Sequence, residues 1–138
     1  MSFDRITRHF YPGVLCAVII LILTGLPGSC FPRVNPQFNL DKVAHVLMYL
    51  GFAVSCLWGY REEFCERGKR YQKNIIHIVI FISIVYGALT EVMQEFIVPM
   101  RCGSVYDWIA DVVGTFIGVV GFYFFYGKRN KKEENVVL

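Results

Sequence analysis

Apolar residues dominate four stretches of the chain, about 10–26, 41–60, 75–98 and 107–126, and most of the charge lies between them. Each stretch is close to the roughly 20 residues that a helix needs to cross a hydrocarbon layer about 30 Å thick. The first is preceded by Arg5 and Arg8 and closes on Leu26-Pro27-Gly28-Ser29. A basic start followed by an apolar run also describes a signal peptide. No small-x-small cleavage site follows, so the run is expected to remain as helix one. Pro32 and Pro36 bar a helix from the segment 27–40. Asp41 opens helix two, a charged segment 61–74 follows, and Pro99 stops helix three. The loop 100–106 leads into helix four, and the polar tail from Lys128 is expected to fray. The pattern predicts an all-α, membrane-embedded four-helix transmembrane bundle forming one domain over residues 1–138.

Composition agrees. Of the 138 residues 55% are hydrophobic, and the mean hydropathy is +0.46. A soluble domain of this size cannot enclose so much apolar surface in its own core. The net charge of +3 matters less than where the cations stand. Two Lys and Arg precede helix one, five lie in 61–74 and four in the tail, whereas Arg33, Lys42 and Arg101 fall on the alternate side. Eleven against three places both termini in the cytoplasm under the positive-inside rule, with loops one-two and three-four facing outward. Trp58, Tyr60 and Trp108 fall at helix ends, where aromatic belts form. Short basic stretches flanking apolar runs suit membrane anchoring and give no support for nucleic-acid binding. None of the five cysteines stands in a CxxC. Cys16 and Cys56 read as small packing residues, while Cys30 and Cys102 share the outer side, where a disulfide between them is one arrangement.

The candidate chemistry sits near the outer ends of helices two to four. Asp41, His45 and Tyr49 follow i, i+4, i+8 spacing along one stripe of helix two, with Lys42 beside them. Helix three carries Glu91, Gln94 and Glu95 on one face. Arg101 and Ser104 lie in the loop, and helix four presents Asp107 and Asp111 one turn apart, continued by Gly114 and Gly118. Carboxylates within a membrane are costly, so they face the bundle interior or water and mark sites by default. Five carboxylates against Lys42 and Arg101 leave an excess of three negative charges with His45 neutral. Such a set cannot all remain ionised and unpaired at low dielectric. Protonated carboxylates, a cationic His45, a bound divalent metal and a positively charged ligand group are four ways to resolve it. The sequence does not choose among them. Structural roles compete at each position. Asp41 and Asp107 suit the positive ends of their helices, His45 suits a hydrogen-bonded core, Glu95 is close enough to the interface to reach water, and Gly114-x-x-x-Gly118 suits close helix packing.

Taken in order, these motifs resemble the VanZ-like family of small polytopic bacterial membrane proteins. The resemblance runs from Thr24 to about Gly121. It rests on Leu26-Pro27, on Asp41-Lys42-x-x-His45-x-x-x-Tyr49 and on Gly87-x-x-x-Glu91-x-x-Gln94. It closes on Arg101-x-x-Ser104-x-x-Asp107-x-x-x-Asp111-x-x-Gly114-x-x-x-Gly118. The chain departs from the family pattern in carrying Asp111 where Asn is usual. The resemblance implies a multi-pass protein of the bacterial cytoplasmic membrane. Its named member lowers susceptibility to teicoplanin, a lipid-tailed glycopeptide antibiotic.

These readings lead to an outward-facing intramembrane site that binds or modifies an envelope lipid, a lipid-linked precursor or a lipid-tailed ligand. His45, Glu91 and Asp107 are the candidate acid–base residues or metal ligands. Asp41, Lys42, Tyr49, Gln94, Glu95, Arg101, Ser104 and Asp111 are the candidate ligand contacts, Arg101 toward an anionic group. Two other classes compete: a non-catalytic protein whose polar knot fixes helix packing, and a small proton-coupled transporter. The latter lacks a visible inverted repeat.

Overall fold

The computed structural model describes residues 3–27 and 40–127, with side chains from residue 9 onward in the first segment. Five helices follow in order: α1 (Phe3–Gly25), α2 (Leu40–Gly59), α3 (Arg61–Glu66), α4 (Lys69–Phe96) and α5 (Val105–Phe122), the last running into a π-helical turn, Tyr123–Gly127. Cys30, Arg33, Pro32, Pro36 and the tail from Lys128 lie outside the described residues, and the Cys30–Cys102 pairing lies there with them.

Three segments, Leu40–Gly59, Lys69–Phe96 and Val105–Gly127, are long and apolar enough to cross a bilayer, and the apolar part of α1, His9–Gly25, is shorter. Large apolar side chains such as Val14, Ile22, Phe81, Leu89, Phe116 and Val120 stand exposed on all the long helices. Lipid is the solvent that makes such a surface stable. The chain is an all-α membrane bundle.

The segment between α2 and α4 is more ordered than its charge suggests. Residues 61–66 form α3, and α4 begins at Lys69, six residues before the apolar run starts. Arg, Glu, Lys and Gln are good helix formers, so the charged stretch continues a helix beyond its membrane-length core. Gly68, extended at ψ 172°, separates the two helices and caps α4. Glu63 of α3 lies 2.7 Å from His9 Nε2 of α1, tying the two helices at this end. Burial acts to raise the Glu63 carboxyl. Hydrogen bonds from its own backbone and from His9, with the charges of His9 and Arg67, outweigh it and hold the group below the ordinary glutamate range. A depressed carboxyl stabilises the fold above its unfolded pKa and stops doing so as pH falls through the folded value. Unfolding of Glu63→Gln beside the wild type should therefore differ by under about 1 kcal/mol at neutral pH. The two curves should begin to converge as pH falls through the ordinary glutamate pKa and merge below the depressed folded value.

Along its axis the bundle is layered. Near α3 the interior is mainly apolar, built from Ala53, Leu57, Phe64, Val79, Val119 and Phe122, with the buried Gln72 donating to the Phe64 carbonyl at 2.7 Å. Ile20, Tyr49 and Phe52 fill the middle, with Tyr86 against them. Toward the α4–α5 connection the buried residues are polar: His45, Thr90, Glu91, Gln94, Asp107 and Asp111. The closest helix pair is α2 with α5. A Cβ on Gly114 would overlap the Val46 carbonyl, and one on Gly118 would stand 2.7 Å from the Leu50 carbonyl oxygen. Glycine at both positions lets the backbones meet, as small residues four apart do in membranes. That approach sets His45 beside Asp111.

Candidate functional site

At the polar end α2, α4 and α5 each turn one face inward. His45 is 2% exposed, Asp111 1% and Glu91 7%, so the centre of the cluster is buried. His45 Nδ1 lies 2.9 Å from Asp111 Oδ1, a hydrogen bond whose direction depends on the imidazole tautomer. The same nitrogen is 3.8 Å from Glu91 Oε1, inside ion-pair range and beyond a hydrogen bond.

The two oxygens of Glu91 have different surroundings. Oε2 accepts the Ser104 backbone N–H at 2.8 Å, and Glu95 Oε2 accepts that of Gly103 at 2.8 Å. Acidic side chains of α4 thus clasp the loop that leads into α5. Glu91 Oε1 points inward and finds no hydrogen-bond partner among the described residues, nor do Asp107 Oδ1 and Asp111 Oδ2. Buried polar atoms are nearly always satisfied, so three orphans in one cluster are unusual.

Closer to the end of the bundle, Lys42 Nζ stands 3.4 Å from Asp107 Oδ1, and Arg101 Nη2 stands 3.8 Å from Asp41 Oδ1. The first pair is an ion pair by distance without hydrogen-bond geometry, which is why Asp107 Oδ1 also counts among the orphans. Asp107 makes no side-chain hydrogen bond to the first turn of α5, and Ser104 occupies the N-cap position without capping through its hydroxyl. Asp107 therefore contributes there only through the helix dipole.

Tyr49 lies one layer below. Thr90 Oγ1 donates to the Gly87 carbonyl at 2.9 Å, and a hydroxyl has a single proton, so Tyr49 donates to Thr90 across 3.0 Å. Gly87 adjoins the Asp111 carboxylate: a Cβ there would sit 3.0 Å from Oδ2. Gln94 and Arg101 both donate to the Thr24 carbonyl, each at 3.3 Å. Thr24 is in the last turn of α1, whose carbonyls lack intrahelical partners, and a guanidinium there meets the negative end of the helix dipole. Sequence reading passed over Thr24 and Thr90. The helix stop at Leu26-Pro27 was the available signal, because a helix that ends leaves carbonyls to satisfy.

The cluster is distinct from the apolar groove of about 290 Å³ between α1, α2 and α4, which Phe10, Val14, Phe52, Ile78, Ile82 and Tyr86 line. None of the polar cluster reaches that groove, whose walls offer no carboxylate.

Comparison with known proteins adds a family. The VanZ/LLP1 family model matches residues 6–126, most of the chain. The chain belongs to the VanZ/LLP1 family. No curated protein and no solved structure matches it. Every motif that carried the family resemblance in the sequence lies in this VanZ/LLP1 match. Their polar residues gather toward one end of the bundle, while Gly118 packs α5 on Leu50 and Ala53 nearer the apolar end. The helix end at Thr24 receives Gln94 and Arg101, His45 receives Asp111, Glu91 holds Ser104, and Gly114 with Gly118 brings α2 to α5. Chemically, the arrangement offers an oriented imidazole, inward carboxylate oxygens and a rim with two cations.

Proposed function

We propose that this VanZ/LLP1 chain binds the polar head group of an envelope amphiphile at the polar end of its bundle and can exchange protons with it. The observation that carries the reading is the set of inward carboxylate oxygens on Glu91, Asp107 and Asp111, buried around His45 without hydrogen-bond partners among the described residues. A purely structural network gains most when fully satisfied, whereas a binding site keeps acceptors for its ligand. Asp111 orients the imidazole, Glu91 and Asp107 face the head group, and Lys42 and Arg101 at the rim attract an anionic group such as a phosphate. Asp41, half clear of the bundle, is the exchangeable partner that releases Arg101. Lipids, lipid-linked envelope precursors and lipid-tailed glycopeptides such as teicoplanin share this chemistry, with an apolar tail in the bilayer and a polar head at its edge.

The distribution of Lys and Arg supports a cytoplasmic-membrane protein with both termini inside and the cluster facing out. In that topology a membrane-impermeant thiol reagent applied to reduced, intact cells labels Cys102 and spares Cys65. The reverse pattern overturns the orientation. The head-group reading is tested by native mass spectrometry of the gently extracted protein beside Glu91→Gln and His45→Ala. A specific lipid on the wild type, absent from folded variants, supports it. A wild type carrying only bulk lipid, in the same proportions as the variants, contradicts it.

A further inference from the structure

We infer that His45, Glu91 and Asp111 form a binding site for one divalent cation, an inference that rests on the head-group reading for the purpose of the site. The three side chains come from α2, α4 and α5, and each can direct one ligand atom so that the atoms lie within 4.8 Å of one another. Bonds from nitrogen and oxygen to a metal such as zinc are about 2.0–2.2 Å, which puts neighbouring ligand atoms roughly 3.0–3.5 Å apart. His45 Nδ1 stands 2.9 Å from Asp111 Oδ1 and 3.8 Å from Glu91 Oε1, on either side of that spacing. Shifts of a few tenths of an ångström bring both into range, and the proton shared between Nδ1 and Asp111 Oδ1 leaves as the ion binds, so that the ion replaces that hydrogen bond.

Two features separate this set from an ordinary acidic patch. The side chains are at least nine-tenths buried, and Glu91 Oε1 and Asp111 Oδ2 are unpartnered among the described residues. Neither carboxylate pairs with Lys or Arg there, because Lys42 is held by Asp107 and Arg101 by Asp41. Protonation of His45 or of a carboxylate is one way to balance them, and a bound cation is the other that these ligand atoms are placed to accept. One imidazole with two carboxylates is a mixed donor set that suits Zn²⁺ or Mn²⁺ better than a soft metal. Three protein ligands also leave coordination positions open to a head-group oxygen or to water. The second oxygen of Glu91 already holds the Ser104 N–H, so the loop fixes the orientation of a ligand side chain, as outer hydrogen bonds do at metal sites. The cation would then bridge the carboxylates and an anionic head group, which lets a negative ligand approach a negative cluster.

The test uses the full chain in detergent, stripped with chelator and exchanged into chelator-free buffer, then titrated calorimetrically with Zn²⁺ and with Mn²⁺. The expected result is saturable binding of a single ion, weakened at least about tenfold by Glu91→Gln and by Asp111→Asn and unchanged by the remote Glu63→Gln. Electron paramagnetic resonance of Mn²⁺ on wild-type protein labelled with ¹⁵N-histidine gives a readout that needs no variant. Hyperfine coupling to an imidazole nitrogen is expected. No saturable binding by the folded wild type overturns the inference, as do affinities that both variants leave intact or a bound ion with no nitrogen coupling. The two proposals fail separately. A specific lipid lost in Glu91→Gln without any ion binding leaves the head-group reading standing, while ion binding with only bulk lipid removes that reading and leaves the cation site.

Discussion

Replacing Gly114 with valine is expected to separate α2 from α5 and disassemble the polar cluster. Even the first carbon of a side chain at this position overlaps the Val46 carbonyl. Backbone atoms cannot rotate away as a flexible side-chain end can. The next small residue along the face, Gly118, meets Leu50 in the same way, so α5 cannot tilt about one contact to relieve the other. Overpacking a close contact typically costs about 1–3 kcal/mol, and insertion against rigid backbone lies at or above the upper end of that range. His45 is adjacent in sequence to Val46, and Asp111 is about one turn from Gly114, so the displacement falls on the 2.9 Å contact between them. Thermal unfolding in detergent should show a clear loss of stability, and whatever the cluster binds should be lost with it. Gly121, which has open space around it, supplies the control: Gly121→Val on the same helix should leave both nearly unchanged.

The second large effect concerns Asp111, where alanine and asparagine should part company. Alanine leaves His45 Nδ1 buried without its partner, and removing one member of a buried pair costs roughly 3–5 kcal/mol. Asparagine keeps an acceptor for Nδ1 while removing a charge from the interior. Its expected effect on the ligand-free protein is within about 1 kcal/mol of wild type. An amide has nearly the size and shape of the carboxylate and keeps an oxygen toward Nδ1, so the bundle geometry is compatible with it. Chemical or thermal unfolding of the two variants, both freed of ligand and metal, separates the hydrogen bond from the charge. Equal losses in both would mean that the carboxylate itself holds the bundle together.

Much of the site was legible because helical spacing is rigid. The i, i+4 and i+8 positions of Asp41, His45 and Tyr49 share a face in any straight helix, as do Asp107 and Asp111. Proline stops, glycine spacing and the placement of charge likewise set the order of the elements. What the sequence could not supply was the rotation and rise of one helix against another. Those decide that His45 meets Asp111 more closely than Glu91, and that Tyr49 bonds to Thr90. They also decide that Arg101 serves two groups at once, the Thr24 carbonyl and Asp41. The division of labour between the oxygens of Glu91 was equally hidden, since it depends on the backbone of a loop thirteen residues away. Residues 61–74 read as a loop because the apolar pattern ends there, yet their helix-forming side chains build α3 and the start of α4.

The central claim is that the inward oxygens are kept for a ligand and not for packing. The most direct test is the unfolding midpoint of Glu91→Gln beside wild type, both stripped of lipid and metal. Glutamine retains an amide oxygen for the Ser104 N–H and removes the charge that faces His45. A site built for a ligand should then unfold at or above the wild-type midpoint, since a buried charge without compensation has been removed. A fall of about 5 °C or more would contradict the account, because it would make the Glu91 carboxylate a structural member of the bundle.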